Sequence, residues 1–234
     1  MKQILRVFGG LLMTAALWVH PASAKDKPVL VELYTSQGCS SCPDADVLFQ
    51  DLVKRPGIVG LAFHVDYWDY IGWQDIFARA EYTQRQKSYA KRHGAKMVYT
   101  PQVVVQGREF AVGSKPMDVA QAVKTQSHND TGVSVRLTRG AGGVSVSITG
   151  TPPAQVTKPV VYVAEFIPSQ QVSIQAGENA GRVWTYTNIV TRLTPFAPYS
   201  APKFERTLTG FGDHIAVFVQ GADHGPVLAA DITR

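Results

Sequence analysis

The chain has little sulfur to work with: two cysteines in 234 residues, Cys39 and Cys42. No second cysteine pair and no H-x-x-x-H accompanies them, which leaves a weak case for a metal centre. There is no Ser-His-Asp signature, no glycine-rich phosphate loop and no stripe of basic and aromatic residues. Triad hydrolysis, nucleotide binding and nucleic-acid binding therefore have no motif behind them. Internal repeats and low-complexity tracts are also lacking. Beyond residue 24 no apolar run reaches the roughly 20 residues that a membrane-spanning helix needs.

Residues 1–24 have the character of a secretory signal peptide. Lys2 and Arg6 form a basic start, Ile4 to Val19 is mostly apolar, and Ala22-Ser23-Ala24 supplies small residues for cleavage. Removing it leaves about 210 residues, enough for a sizeable core. Lys2 and Arg6 leave with it, so the mature balance is 21 basic against 18 acidic residues. That bias is too small to argue for a nucleic-acid partner. The expected product is exported, periplasmic or secreted, with no stable membrane anchor after cleavage.

What is present centres on Tyr34-Thr35-Ser36-Gln37-Gly38-Cys39-Ser40-Ser41-Cys42-Pro43. The apolar run Val29 to Tyr34 before it has the content of a buried strand. After it, Ala45, Leu48, Phe49, Leu52 and Val53 fall on one face of a helix. The two sulfurs thus sit at a strand-to-helix turn, where free backbone N–H groups and the helix dipole stabilise a thiolate. Pro43 suits the first helical turn. Three readings of C-x-x-C stay open: a redox pair, a structural disulfide in an oxidising compartment, or part of a metal site. A bridge closing so short a loop removes little chain entropy, which weighs against a purely structural role.

Ile58 to Val65 reads as a second buried strand, completing a βαβ unit. The aromatic stretch Asp66-Tyr67-Trp68-Asp69-Tyr70-Ile71-Gly72-Trp73 leaves the same sheet edge as the C-x-x-C loop, where open α/β sheets bind ligands. A polar helix over about 75–93, strands at 102–105 and 109–112, and a helix over 115–125 follow. The resulting β-α-β-α-β-β-α order, with C-x-x-C after the first strand and Thr100-Pro101 before the third, resembles the thioredoxin fold. The resemblance implies that Cys39 is an exposed nucleophile, Cys42 a buried resolving thiol, and Pro101 a cis-proline whose neighbouring backbone pairs with substrate. More closely, Val31 to Pro43, His64 to Asp69, Tyr99-Thr100-Pro101 and Gly177 to Arg182 are similar to an exported bacterial thioredoxin-like family catalogued as domain of unknown function 1223. Departures from thioredoxin itself include Gly38 before the first cysteine, Ser40-Ser41 between the pair, and Asp44 and Asp46 after it. Those two acids suit the helix dipole but oppose a nearby thiolate.

Ser127 to Gly132 is a polar break. Beyond it the period becomes two: Val133, Val135 and Leu137, then Val144, Val146 and Ile148, alternate with polar residues around a glycine-rich turn. Further strands are expected near 159–166, 183–192, 203–208, 214–220 and 226–232. The expected architecture is an α/β thioredoxin-like domain over 25–127 followed by an all-β, sandwich-like domain over 128–234. With no cysteine in the second half, any redox chemistry belongs to the first.

Four further residues are candidates for contact with substrate. Thr100 precedes Pro101. Trp68 and Trp73, with Tyr70 beside them, form either an apolar platform or packing beneath the loop. Asp66 is either a proton relay during thiol exchange or a solvated loop acid. His64 is either a hydrogen-bonded strand residue or, with both cysteines, a soft site for Cu(I) or zinc. Glu178 to Arg182 reads as a polar hairpin end or a partner contact. The expected function is thiol–disulfide exchange with protein or small-molecule thiols and disulfides, served by a redox partner and no cofactor. The alternative is a non-catalytic binding protein on the same scaffold.

Overall fold

The structure is a computed structural model that describes residues 27–233. The leader expected over 1–24 lies outside the described residues. The first half runs β1 (Val29–Thr35), α1 (Pro43–Leu52), β2 (Ile58–His64), α2 (Ala80–Arg92), β3 (Gln102–Val105), β4 (Glu109–Val112) and α3 (Pro116–Ser127). The second half runs β5 (Val133–Gly140), β6 (Gly143–Gly150), β7 (Val160–Ser173), β8 (Val183–Pro198), β9 (Lys203–Leu208), β10 (Ile215–Gln220) and β11 (Val227–Ile232). The polar helix expected from residue 75 starts only at Ala80. Residues 66–79 instead form an irregular arm with a short 3₁₀ turn at Asp69–Ile71.

The expected architecture, a thioredoxin-like α/β domain followed by an all-β sandwich, is overturned. Eight strands drawn from both halves form one mixed sheet in the order β11-β10-β7-β8-β2-β1-β3-β4. The join is between β2 and β8, parallel at Ala62 and Ile189. Its physical reason lies in β2, whose seven residues are all buried. Its first edge is paired with β1. A buried strand with its second edge open would leave unpaired backbone groups in an apolar setting, and β8 covers that edge. Alternation of residues along a strand specifies its buried face, not its neighbour, so the join is invisible in local pattern. The chain is accordingly mostly β, with three helices among the described residues.

Packing follows from the strand faces. Val31 and Leu33 of β1 and Val103 and Val105 of β3 point to one side of the sheet, against Ala45, Phe49 and Leu52 of α1 and Val119 and Ala122 of α3. The opposite side, with Tyr34, Phe63 and Phe218, receives Tyr82 and Tyr89 of α2. Under β7, β10 and β11 the first side is covered by a separate three-stranded sheet, β5-β6-β9. The alternation read at 133–149 is the register of that sheet, with Val146 opposite Leu137.

One buried ionic cluster ties the halves together. Glu32 of β1 accepts two hydrogen bonds from Arg85 of α2 (2.7 and 2.9 Å) and one each from Tyr34 (2.9 Å) and Tyr89 (2.7 Å). Arg85 also donates to Gln220 of β10 at 2.9 Å and lies over the rings of Phe63, Tyr162 and Phe218.

Candidate functional site

The site forms where β1 ends and α1 begins. Cys39 and Cys42 are joined in a disulfide with Cα atoms 5.4 Å apart. The turn winds tightly into the helix: Cys39 N–H donates to Ser36 O, Cys42 N–H to Cys39 O, and Ala45 and Asp46 N–H to Cys42 O. Cys42 is the N-cap and Pro43 occupies the first turn, where its missing N–H costs nothing. The pair is therefore at the positive end of a ten-residue helix.

Three segments close around this turn. The first is Thr100-Pro101, a cis peptide, whose Thr100 carbonyl accepts a 3.4 Å hydrogen bond from Ser41 Oγ. Ser41 Oγ lies equally 3.4 Å from Cys39 Sγ. The second is the aromatic arm. Trp68 Nε1 donates to Thr100 Oγ1 at 2.7 Å, and Trp73 Nε1 donates to Gln37 Oε1 at 2.8 Å. Gly38 has no side chain for a steric reason: a Cβ there would lie 3.2 Å from Trp68 Cβ and 3.3 Å from Ile71 Cδ1. The third segment was expected to be a polar hairpin end or a partner contact. It is the connection between β7 and β8, whose Asn179 Nδ2 donates to Gln37 O (2.9 Å) and Cys39 O (3.0 Å).

The structure thus brings Cys39, Cys42, Thr100, Pro101, Trp68 and Trp73 together. Both tryptophans are half-buried and pinned through their indole N–H, while Tyr70 points to solvent. Cys39 differs from its expectation as the exposed sulfur: it is fully buried, like Cys42. Part of its surroundings, Asn179 on the Cys39 carbonyl, comes from the second half of the chain, which the first half's motif could not reveal. Asp66 is not beneath the pair; its carboxylate accepts from Thr83 Oγ1 at 2.6 Å.

Two other acids take the buried position, and the sequence reading missed both roles. Asp46, read as a first-turn acid that suits the helix dipole and opposes a nearby thiolate, is 5% exposed, whereas Asp44 is exposed. Asp46 follows Cys42 by four residues, one turn along the same helix face. Burial pushes its carboxyl up to about 7, against the opposing charge of His64. His64, at the end of β2, is fully buried and its Nδ1 lies 2.6 Å from Asp75 Oδ2. Burial lowers the imidazole pKa, but Asp75, by charge and hydrogen bond, and Asp46, by charge, raise it further, so the net direction is up. Asp75 also accepts from the backbone N–H of Gln37 (2.8 Å) and Phe77 (2.9 Å). It therefore ties the aromatic arm to the residue two before Cys39. His64 Nε2 finds no partner within the protein. Phe77 and Tyr186 pack edge-on against the imidazole. Among the described residues, no group of three or more His, Cys, Asp and Glu is placed to hold a metal ion, and no helix is long and apolar enough to cross a membrane.

Asp46 could have been suspected, since it lies three residues before Phe49 on the apolar face of the helix. Asp75 and Asn179 carried no comparable local signal.

The sequence model of a family described as "Protein of unknown function (DUF1223)" matches residues 30–220. No curated protein matches the chain. Among solved structures, a crystallised protein of Agrobacterium tumefaciens is 29% identical, with a TM-score of 0.75 over 90% of this chain and 96% of that one. HBP35 of Porphyromonas gingivalis is 14% identical, with a TM-score of 0.57 over 88% of this chain and 74% of that one, a likeness of fold alone.

Proposed function

We propose a thiol–disulfide oxidoreductase function for this chain, which belongs to the DUF1223 family. The observation that carries the reading is the placement of the Cys39–Cys42 disulfide at the N-terminus of α1 with a buried carboxyl one turn behind it. A helix start stabilises a thiolate, and a carboxyl titrating near neutrality is matched to taking or giving a proton there. Exchange needs the thiolate, and a proton acceptor beside the resolving thiol speeds its second step.

In the reducing direction, the Cys39 thiolate attacks one sulfur of a substrate disulfide. The Cys39–substrate bond forms as the substrate's S–S bond breaks, and the departing sulfur leaves as a thiolate that takes a proton from water. Cys42 loses its proton to the Asp46 carboxylate and attacks Cys39 Sγ. The internal disulfide forms and the second substrate thiolate leaves. Two electrons pass from the protein dithiol to the substrate, and an external thiol of a redox partner restores the dithiol. The oxidising direction is the reverse. Thr100, Pro101, Trp68 and Trp73 lie around the turn that carries the pair, and we assign them to substrate contact. Lys2, Arg6 and the small residues at 22–24 support export to the periplasm or beyond, where such exchange operates.

One observation favours a second reading, a non-catalytic scaffold with a structural disulfide: neither sulfur is exposed. A trapping experiment separates the two. The reduced Cys42→Ser protein, mixed with a model aromatic disulfide, is expected to accumulate a mixed disulfide on Cys39 detectable by mass. Reduced Cys39→Ser protein is expected to form little, since Cys42 is the capping residue behind the turn. Equal, slow labelling of both variants, with no turnover by the wild type, would contradict the redox reading.

A further inference from the structure

The β7–β8 hairpin has the longest strands among the described residues, 14 and 16 residues. Such a hairpin can end freely in solvent, yet its tip, residues 174–182, folds back on the turn that carries Cys39. Asn179 is 2% exposed and reaches across 140 residues of sequence to the Cys39 carbonyl. The tip is closed on itself: Ile174 N–H donates to Arg182 O (2.9 Å) and Gly181 N–H to Ile174 O (2.8 Å). Gly177, at φ +76°, presses on the aromatic arm; a Cβ there would sit 3.1 Å from Trp73 Cβ.

The closed arrangement is incompletely satisfied. Gln37 Nε2 and Asn179 Oδ1 are both buried and find no partner within the protein. Buried polar groups without partners disfavour the state that holds them. The contacts that hold the tip are thus the two Asn179 hydrogen bonds and, at its base, Ile174, which is 1% exposed and clustered with Val172, Tyr186 and Ile189 against Trp73 and Phe77; two unpaired groups offset them. An element held in this way opens at far lower cost than the sheet beneath it.

We infer that the 174–182 tip is a lid over Cys39, latched by Asn179, and that thiol exchange proceeds only when it opens. The inference rests on the redox reading. An attacking thiolate must reach Sγ directly, and a sulfur with no exposed surface offers no path. Opening uncovers Cys39 and releases the carbonyls of Gln37 and Cys39. The exposed Glu178 and Arg182 flank the latch and can move with it without disturbing the core.

The test measures how fast a water-soluble phosphine reduces the disulfide of the full oxidised chain, at several urea concentrations below unfolding. Wild type is compared with Asn179→Ala and with Asn179→Asp, which keeps the shape but removes the donor. Loss of two hydrogen bonds is expected to raise the rate about ten- to a hundredfold in both variants. A local opening exposes little surface, so all three rates should depend only weakly on urea. Unchanged rates in both variants would overturn the lid, as would rates that climb steeply with urea in step with global unfolding. A phosphine reduces a disulfide whatever its potential, so this result stands apart from the redox reading. That reading fails separately, if the pair does not equilibrate with thiol buffers.

Discussion

Two buried charged clusters lie in the same sheet, and they are built to opposite standards. Around Glu32 every strong group is answered: the carboxylate accepts four hydrogen bonds, and Arg85 is shared with Tyr89 and Gln220. Burial pushes the Glu32 carboxyl up, but Arg85, Tyr89 and Tyr34 together hold it below its ordinary value. Around Asp46 the accounting is left open. His64 Nε2 is unpaired, and burial lifts Asp46 to about 7. Buried ions are costly unless paired and hydrogen-bonded. The saturated cluster fastens α2 and β10 to β1. The unsaturated one sits one helical turn from a disulfide and can change its proton count at physiological pH. The first cluster is fully hydrogen-bonded, and the second is the one the proposed exchange chemistry draws on.

The largest effect that would test this contrast is on stability. Glu32→Gln leaves Arg85 as a buried cation without its counter-charge and should cost about 3–5 kcal/mol in urea unfolding at neutral pH. A loss below about 1 kcal/mol would erase the distinction between the clusters.

Asp46→Asn should act with the opposite sign. Because the folded-state pKa of Asp46 is raised, the folded protein holds this proton while the unfolded chain releases it. Asp46 therefore lowers stability progressively as pH rises from about 4 to about 7. The Asn variant loses this slope. It should match wild type near pH 4 and exceed it by about 2–4 kcal/mol at pH 8, while slowing the Cys42 resolution step. Parallel stability–pH curves for the two proteins would show that Asp46 does not titrate as described.

Removing one neutral donor from the saturated cluster is the mildest change. Tyr34→Phe should cost about 1.5 kcal/mol, the worth of one hydrogen bond to a charged group, with no effect on exchange at the disulfide. Loss of exchange in that variant would mean that the clusters are coupled rather than separate.

Much of this was legible in the chain, and the gaps have a common cause. Cys39, Cys42 and the flanking strand and helix could be read because each signal is local: an apolar run, a turn, a 3.6-residue period. The alternation of Val133 to Leu137 against Val144 to Ile148 gave its hairpin for the same reason. The pairing of β8 with β2 was hidden because Ala62 and Ile189 carry no mutual mark in sequence. A two-domain architecture was the natural and incorrect reading of a polar break at 127–132. Asn179 was inside a segment noted for its turn chemistry, yet its target, 140 residues earlier, could not be inferred. Asp66 drew attention by its place after β2, while Asp75, further along the same arm, holds His64. Burial of an acid depends on which elements pack around it, and that is a property of the assembled sheet.

The most direct test of the central claim is the equilibrium reduction potential of the Cys39–Cys42 pair, measured against thiol buffers with time allowed for the lid to open. Exchange-active pairs lie between roughly −120 and −270 mV, and structural disulfides below roughly −300 mV. The account predicts a value inside the first range, with a pH dependence that changes slope near pH 7 and loses that break in Asp46→Asn. A pair that stays oxidised below roughly −300 mV, with the same pH dependence in both proteins, would make Cys39–Cys42 a structural bridge and contradict the account.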